Sequence, residues 1–207
     1  MTRRGVTDEQ YGRLQRRLDE VARRVDEGTI PFDNTMRGLQ VFLEGKFNSL
    51  LFPIFLSIQL GTHSSINSLR ASLSNCGHSI GDWANNILDK ITLASTPTTF
   101  LNLIVVSNAD LGFSKGATFA ETCAKAKESG LDLCPAEVGP QLRLQYTDQP
   151  RGEWLVIAME PIADSDGGLD GFRVGRSVGG RSWLYAGCGS PSYFWFADDR
   201  FVFVSRR

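Results

Sequence analysis

The chain has few histidines, no paired cysteines and almost no net charge. Its 207 residues include two histidines, His63 and His78, too few for a multi-histidine metal site. The four cysteines, Cys76, Cys123, Cys134 and Cys188, form no C-x-x-C pair and no regular disulfide framework. The stretch Met1 to Gln10 is charged and lacks the apolar core of a secretory leader. Free thiols in a reducing cytoplasm are therefore expected. Against 22 Lys+Arg stand 23 Asp+Glu, a net charge of −1, without the basic excess that a dedicated nucleic-acid binder gathers on one face. Neither a G-x-S-x-G elbow nor a phosphate loop occurs. The longest apolar run, Ser49 to Leu60, is about half of a membrane span and contains Pro53. It reads as buried core, and no membrane insertion is expected.

What is present is an ordinary globular composition, 42% apolar and 22% charged. Residues 7–27 place Tyr11, Leu14, Leu18, Val21 and Val25 at alternating spacings of three and four, one narrow seam on a helix. Thr7 is the expected N-cap, Asp8 and Glu9 suit the first turn, and Gly28 is the expected stop. The other faces alternate in sign, with Glu9–Arg13, Arg16–Glu20, Asp19–Arg23 and Arg23–Glu27 at i,i+4, and read as a solvated, ion-paired surface. Two heptads are too few for a stable coiled coil alone, so the seam packs on the body of the protein or on a second copy, a route to a homo-oligomer.

Beyond Pro31, Asp33 or Asn34 could cap a second helix through Met36, Leu39, Phe42 and Leu43. Two short helices are expected at Ser65 to Leu73 and at Ile80 to Ile91, the latter with Trp83, Ile87 and Ile91 on one face. The Ser-Thr-Pro-Thr-Thr segment at 95–99 is the expected domain boundary. After it come strand-like runs at Phe100 to Val106, Glu153 to Met159, Phe172 to Val174 and Arg200 to Ser205, and a helix from Ala117 to Ser129. In the last run Phe201 and Phe203 fall on one face, Val202 and Val204 on the other. Pairing of Phe100–Val106 with Arg200–Ser205 as antiparallel strands would close the domain where the chain enters and leaves. Between Gly175 and Asp199 lies a long irregular stretch dense in Gly, Ser and aromatics.

Chemical motifs are weak. Asp164, Asp166 and Gly168 resemble the start of a calcium loop, but Gly175 stands where its glutamate belongs, and a plain turn is the better reading. Cys134 or Cys188 with His78 could be drawn as nucleophile and base, with no third orienting group. Glu137 and Glu160 are isolated carboxylates. The segment from Trp183 to Val204 differs, being rich in Tyr, Phe, Ser, Gly and Asp, with no Lys, Glu, Gln or Met. That is the composition of an antibody-like contact surface. It is equally that of a loop whose aromatics finish a core, and composition does not choose between them.

The C-terminal pattern is Trp183-Leu, a few other positions, Gly189-Ser-Pro, then Trp195-Phe-Ala-Asp-Asp-Arg-Phe-Val-Phe. It resembles the variable region of proteins diversified by diversity-generating retroelements, in the candidate-phylum bacterial branch. Ile80-Gly-Asp-Trp-Ala, Ala109-Asp-Leu-Gly-Phe-Ser-Lys-Gly-Ala-Thr, Leu133-Cys-Pro-Ala-Glu-Val-Gly-Pro-Gln-Leu-Arg-Leu-Gln-Tyr and Gly152-Glu-Trp-Leu are similar to that family too. The likeness spans roughly residues 60–207.

The resemblance implies an α+β protein. A helical N-terminal region, residues 1–98, would precede a C-type-lectin-like domain, residues 99–207, with a C-terminal variable region. It implies a non-enzymatic binder of varied protein ligands, without cofactor, metal or nucleic acid. In that family a reverse transcriptase miscopies template adenines, turning AAY codons into NNY, which never encode Lys, Glu, Gln, Met or Trp. By likeness the variable, ligand-binding positions are Tyr185, Gly187, Cys188, Ser190, Ser192, Tyr193, Phe194, Phe196 and Asp199. Trp183, Pro191, Trp195, Arg200 and Phe201 form the scaffold of the site. The tryptophans are expected to be buried with their indole N–H groups on backbone carbonyls. Two alternatives remain. One is a sulfatase-activating enzyme of the same fold, for which Cys188 would be the suspect. The other is a fixed, non-diversified interaction module.

Overall fold

The computed structural model describes residues 7–43, 52–94 and 99–206. The chain divides into two compact units, residues 1–51 and 52–207. In the first, helix α1 (Asp8–Asp26) opens on a capping box. Thr7 Oγ1 accepts the Gln10 N–H at 3.2 Å, and the Gln10 side chain accepts the Thr7 N–H at 2.8 Å. The chain turns out of the helix at Gly28, whose φ of +70° suits glycine. Glu9–Arg13 and Arg23–Glu27 pair as expected, whereas Glu20 takes Arg23 and Arg24 instead of Arg16. No residue of α1 is buried, and Leu14 and Leu18 of its seam are exposed. Helix α2 (Phe32–Leu43) begins at Phe32, so Asp33 stands in the first turn rather than at the cap.

The second unit is built on a mixed sheet. Its strands are β1 (Leu56–Leu60), β2 (Ser79–Ile80), β3 (Thr99–Ser107), β6 (Trp154–Ile157), β8 (Leu169–Arg176), β9 (Ser182–Cys188) and β11 (Arg200–Ser205), in the order β1-β3-β11-β6-β8-β9-β2. Short strands β5 (Leu131–Asp132) and β7 (Ile162–Ala163) pair with β11 and β8, while β4 (Ala117–Thr118) and β10 (Phe194–Trp195) form a separate pair. Strand β11 lies antiparallel to β3, with Phe201 opposite Val106 and Phe203 opposite Ile104, which is the expected closure of the two ends. Its other edge runs parallel to β6.

Alternation along these strands feeds two cores. Val202, Leu103, Ile157, Phe172, Val174 and Leu184 point to one face. Helices α3 (Ile66–Asn75), α4 (Asp82–Leu88) and α6 (Val138–Gln145) cover it with Leu69, Leu73, Ile87, Leu88, Val138 and Leu142. Phe201, Phe203, Ile104, Val106 and Val156 point to the other face, packing with Trp195 and with Phe119 and Ala126 of helix α5 (Phe119–Glu128). The fold is therefore α+β.

The boundary expected between residues 98 and 99 falls inside this unit; residues 95–98 themselves lie outside the described residues. Strand β1 pairs with β3 over five residues, from Leu56 opposite Leu103 to Leu60 opposite Thr99, and α3 and α4 bury their apolar faces in the same core. Glu137 fastens the segment from inside. Its buried carboxylate accepts the Gly61 N–H at 2.8 Å and the Ala94 N–H at 2.6 Å. Other differences are local. Ala84, Ile87 and Leu88 face the core from α4 while Trp83, in its first turn, is 44% exposed and Ile91 lies beyond its end. Helix α6 carries Gly139 and Pro140, which hid it in the pattern. A Cβ at Gly139 would stand 2.6 Å from the Phe172 side chain, so the glycine lets α6 lie against the sheet. The expected irregular stretch from 175 to 199 contains all seven residues of β9, paired along β8.

Residues 52–207 should thus fold alone, and residues 99–207 should not. The shorter piece loses Ile58, Leu60, Leu69, Leu73, Ile87 and Leu88 from the core. At about 1.5–3 kcal/mol each, these rival the whole stability of a typical domain, about 5–15 kcal/mol. Circular dichroism melts of both pieces check this: a cooperative transition is expected only for the longer one.

Candidate ligand-binding surface

Phe172, Val174, Leu184 and Ala186 are the buried hydrophobic side chains of β8 and β9. Strand alternation turns Arg173, Gly175, Trp183, Tyr185 and Gly187 to the opposite face. Over β3, β11 and β6 that face is covered by the second core. Over β8 and β9 Tyr185 stays 43% exposed. Tyr185 stands opposite Arg173 in the ladder and meets Trp154 edge-on, with ring centroids 6.0 Å apart. Trp154 lies flat on Gly175, where a Cβ would come within 2.2 Å of the indole. The Arg173 guanidinium sits 5.6 Å from the Trp154 ring and 5.4 Å from the Trp195 ring, both within cation–π range. Trp195 in turn meets Tyr193 edge-on at 5.0 Å. A chain of ring and cation contacts therefore runs from Tyr185 to Tyr193.

The segment that ends this surface is held by its backbone. The Pro191 and Tyr193 carbonyls accept the Ala120 and Phe119 N–H groups at the start of α5, at 3.0 and 2.9 Å. The buried Asn108 side-chain amide donates to the Trp195 and Phe196 carbonyls, at 3.2 and 3.0 Å, and its Oδ1 accepts the Thr122 hydroxyl at 2.7 Å. The Ala197 carbonyl accepts the Ala109 N–H at 2.8 Å. Gly116, at φ +97°, lets the segment lie down, since a Cβ there would stand 2.2 Å from the Trp195 carbonyl oxygen. None of these contacts uses a side chain between Ser190 and Phe196.

Side chains are then sorted by direction. Tyr193, Phe194 and Phe196 are 45%, 50% and 68% exposed, and Ser192 is exposed with them. Gly187, Cys188, Ser190 and Asp199 are half-buried. A Cβ at Gly187 would meet Cδ of Arg173 at 2.7 Å, so a larger residue there must displace the arginine stem. Asp199 accepts the Phe196 N–H at 2.7 Å. Among the expected scaffold residues, Trp195 and Phe201 are buried, at 4% and 0% exposure. Trp183 is not: it is half-buried on the open face, against Tyr185 and beneath the Arg181 guanidinium. Pro191 and Arg200 are exposed; the first acts through its carbonyl, the second through an ion pair with Glu153. The Trp195 indole N–H, expected on a carbonyl, is buried without an acceptor among the described residues.

Beneath Trp154 the platform is fixed by Arg143. Fully buried, it donates to the Gly175 carbonyl at 3.2 Å, the Tyr146 carbonyl at 2.6 Å and the Gln149 side chain. Burial, with Arg176 nearby, lowers its pKa to about 10, so it remains a cation at neutral pH. Asn108 and Arg173 lie in no motif, Trp154 and Arg143 lie in segments that gave them no role in the site, and the fold brings all four together.

The other chemical candidates resolve into structure. Asp164 Oδ1 accepts the Asp166 and Gly168 N–H groups at 2.7 and 2.8 Å, closing a turn. The buried Cys134 thiol donates to the Val202 carbonyl at 3.3 Å, and no hydrogen bond joins His78 to Cys134 or Cys188 among the described residues. Burial raises the Cys134 thiol strongly, and burial with Glu160 nearby pushes Cys123 up to about 12.

Two outcomes follow for the folded protein. At pH 7.5 maleimide should label the exposed Cys76 promptly and leave Cys123 and Cys134 unmodified until denaturant is added, as mass spectrometry of the peptides would show. In chemical denaturation, Trp195→Ala should cost about 3–5 kcal/mol, Phe196→Ser about 0.5 kcal/mol or less, and Tyr193→Ser up to about 1.5 kcal/mol for its lost edge contact. No protein-family model, curated protein or solved structure matches this chain.

Proposed function

We propose that the protein is a non-enzymatic, C-type-lectin-like ligand-binding protein. Its C-terminal surface would be diversified by a retroelement to bind varied protein targets. The carrying observation is the sorting of side chains in one backbone-anchored segment. Tyr185, Tyr193, Phe194 and Phe196 are each at least 43% exposed, while Trp195 and Phe201 between and beyond them are buried. Exposed aromatics gathered in this way mark interaction sites and dominate interface energetics.

Three further features support the same function. Each of the nine variable positions holds a residue that an NNY codon encodes. The bonds from Asn108, Ala109 and the start of α5 run to carbonyls of the segment, so replacing Tyr193, Phe194 or Phe196 removes none of them, and of the nine positions Asp199 holds the segment's backbone by its side chain. The antiparallel pairing of β3 with β11 makes everything between them one excursion from a closed base, as a lectin-like fold requires.

The decisive test is genomic. DNA flanking the gene should contain a reverse-transcriptase gene and a near-identical repeat of the segment encoding residues 183–201, differing at template adenines that fall in the codons for the nine positions. Finding neither would make the surface a fixed interaction module.

A further inference from the structure

On the open surface Arg173 is a cation without a counter-ion among the described residues. Among the described residues no hydrogen bond or ion pair reaches the Arg173 guanidinium, and its Nε–H is buried without an acceptor. It is held instead by two indoles, Trp154 at 5.6 Å and Trp195 at 5.4 Å. It lines a groove of about 560 Å³ together with Glu153, Trp154, Asp198, Asp199 and Arg200. Of the neighbouring charges, all but the exposed Asp198 are otherwise engaged. Arg200 pairs with Glu153, which also accepts the Tyr146 hydroxyl at 2.9 Å, and Asp199 accepts the Phe196 N–H. A planar guanidinium held against two aromatic rings, facing a groove and without a counter-ion, is pre-organised for one planar anion.

We propose that Arg173 is a constant anchor for a carboxylate of the protein ligand, set within a surface whose other contacts vary. This rests on the binding function proposed above and names the one feature that its ligands share. Arg173 is outside the positions assigned to variation, yet Tyr185 stands opposite it and Gly187 abuts its stem. The residues at 185 and 187 therefore shape the approach to the arginine without replacing it. The rim carboxylates of Asp198 and Asp199 repel a second negative charge, so the groove takes a single carboxylate rather than a polyphosphate or nucleic-acid backbone. The carboxylate can belong to an Asp or Glu side chain or to a chain terminus.

The test uses the full chain as bait for random heptapeptides, displayed in one arm with free C-termini and in the other with both ends blocked. Selected peptides should lose binding roughly ten- to hundredfold on R173Q, as for a charge-assisted hydrogen bond. The same loss should follow replacement of one peptide Asp or Glu by Asn or Gln. R173K, which keeps the charge and loses the planar fork, should restore part of it. If blocking the terminus abolishes binding instead, the source is a chain end and the anchor stands. Should R173Q fail to fold, the Asp→Asn or Glu→Gln exchange in the peptide reads the same contact on the unaltered protein. Peptides weakened by Tyr193→Ser but indifferent both to R173Q and to loss of their carboxylates overturn the anchor and leave the binding surface intact. Peptides indifferent to all of these changes, or no binders at all, overturn both.

Discussion

The pairing of β11 with its neighbours is the constraint on which the second unit depends. It bonds to β3 on one edge and to β6 on the other, and its terminal residues also pair with β5. Phe201 and Phe203 enter one core and Val202 enters the other, so both faces of the sheet are completed by the final strand. The segment carrying the exposed aromatics is the span between β9 and β11, two strands locked in the same sheet. Its ends are fixed before any of its own side chains is considered.

That tether explains how stability and display are kept apart. Between the two strands, carbonyls of Pro191, Tyr193, Trp195, Phe196 and Ala197 are met by donors from Asn108, Ala109 and the first turn of α5. Backbone bonds of this kind do not depend on which side chain sits outside them. Trp195 is the exception that fixes the segment: it is the one side chain there that reaches the core, packing edge-on against Phe201 at 5.5 Å. The cost of using tryptophan is a buried N–H without an acceptor, offset by the ring's area and by the Arg173 cation above it.

How much of this was legible in the sequence follows local and non-local order. The cap at Thr7 and the alternation from Phe201 to Val204 could be read because each rests on short-range pattern, and the pairing of the two end strands because both runs are apolar and strand-like where the chain enters and leaves. The unit boundary could not, since the apolar run around Pro53 has no period that distinguishes a strand from a linker. Strand β9 was hidden because its inward residues include Ala186 and its outward ones Gly187, which blur the contrast between faces. Burial of Trp183 was expected from its place in the scaffold bracketing the segment, yet its position in the ladder opposite Gly175 turns it to the open face. The roles of Trp154, Arg173 and Asn108 were missed for one reason: each meets partners far along the chain, Trp154 with Tyr185, Arg173 with Trp195 and Asn108 with the Trp195 carbonyl, and only the fold brings them together.

The central claim is that the segment's fold is carried by backbone anchors and by Trp195, not by its exposed side chains. Saturation mutagenesis of residues 185–201, with Asn108 and Gly116 included, scored by resistance to proteolysis, tests it most directly. Most substitutions at Tyr193, Phe194 and Phe196 should leave the protein as resistant as the parent, whereas nearly all at Asn108, Gly116, Trp195 and Phe201 should not. Equal intolerance at both sets of positions would contradict it.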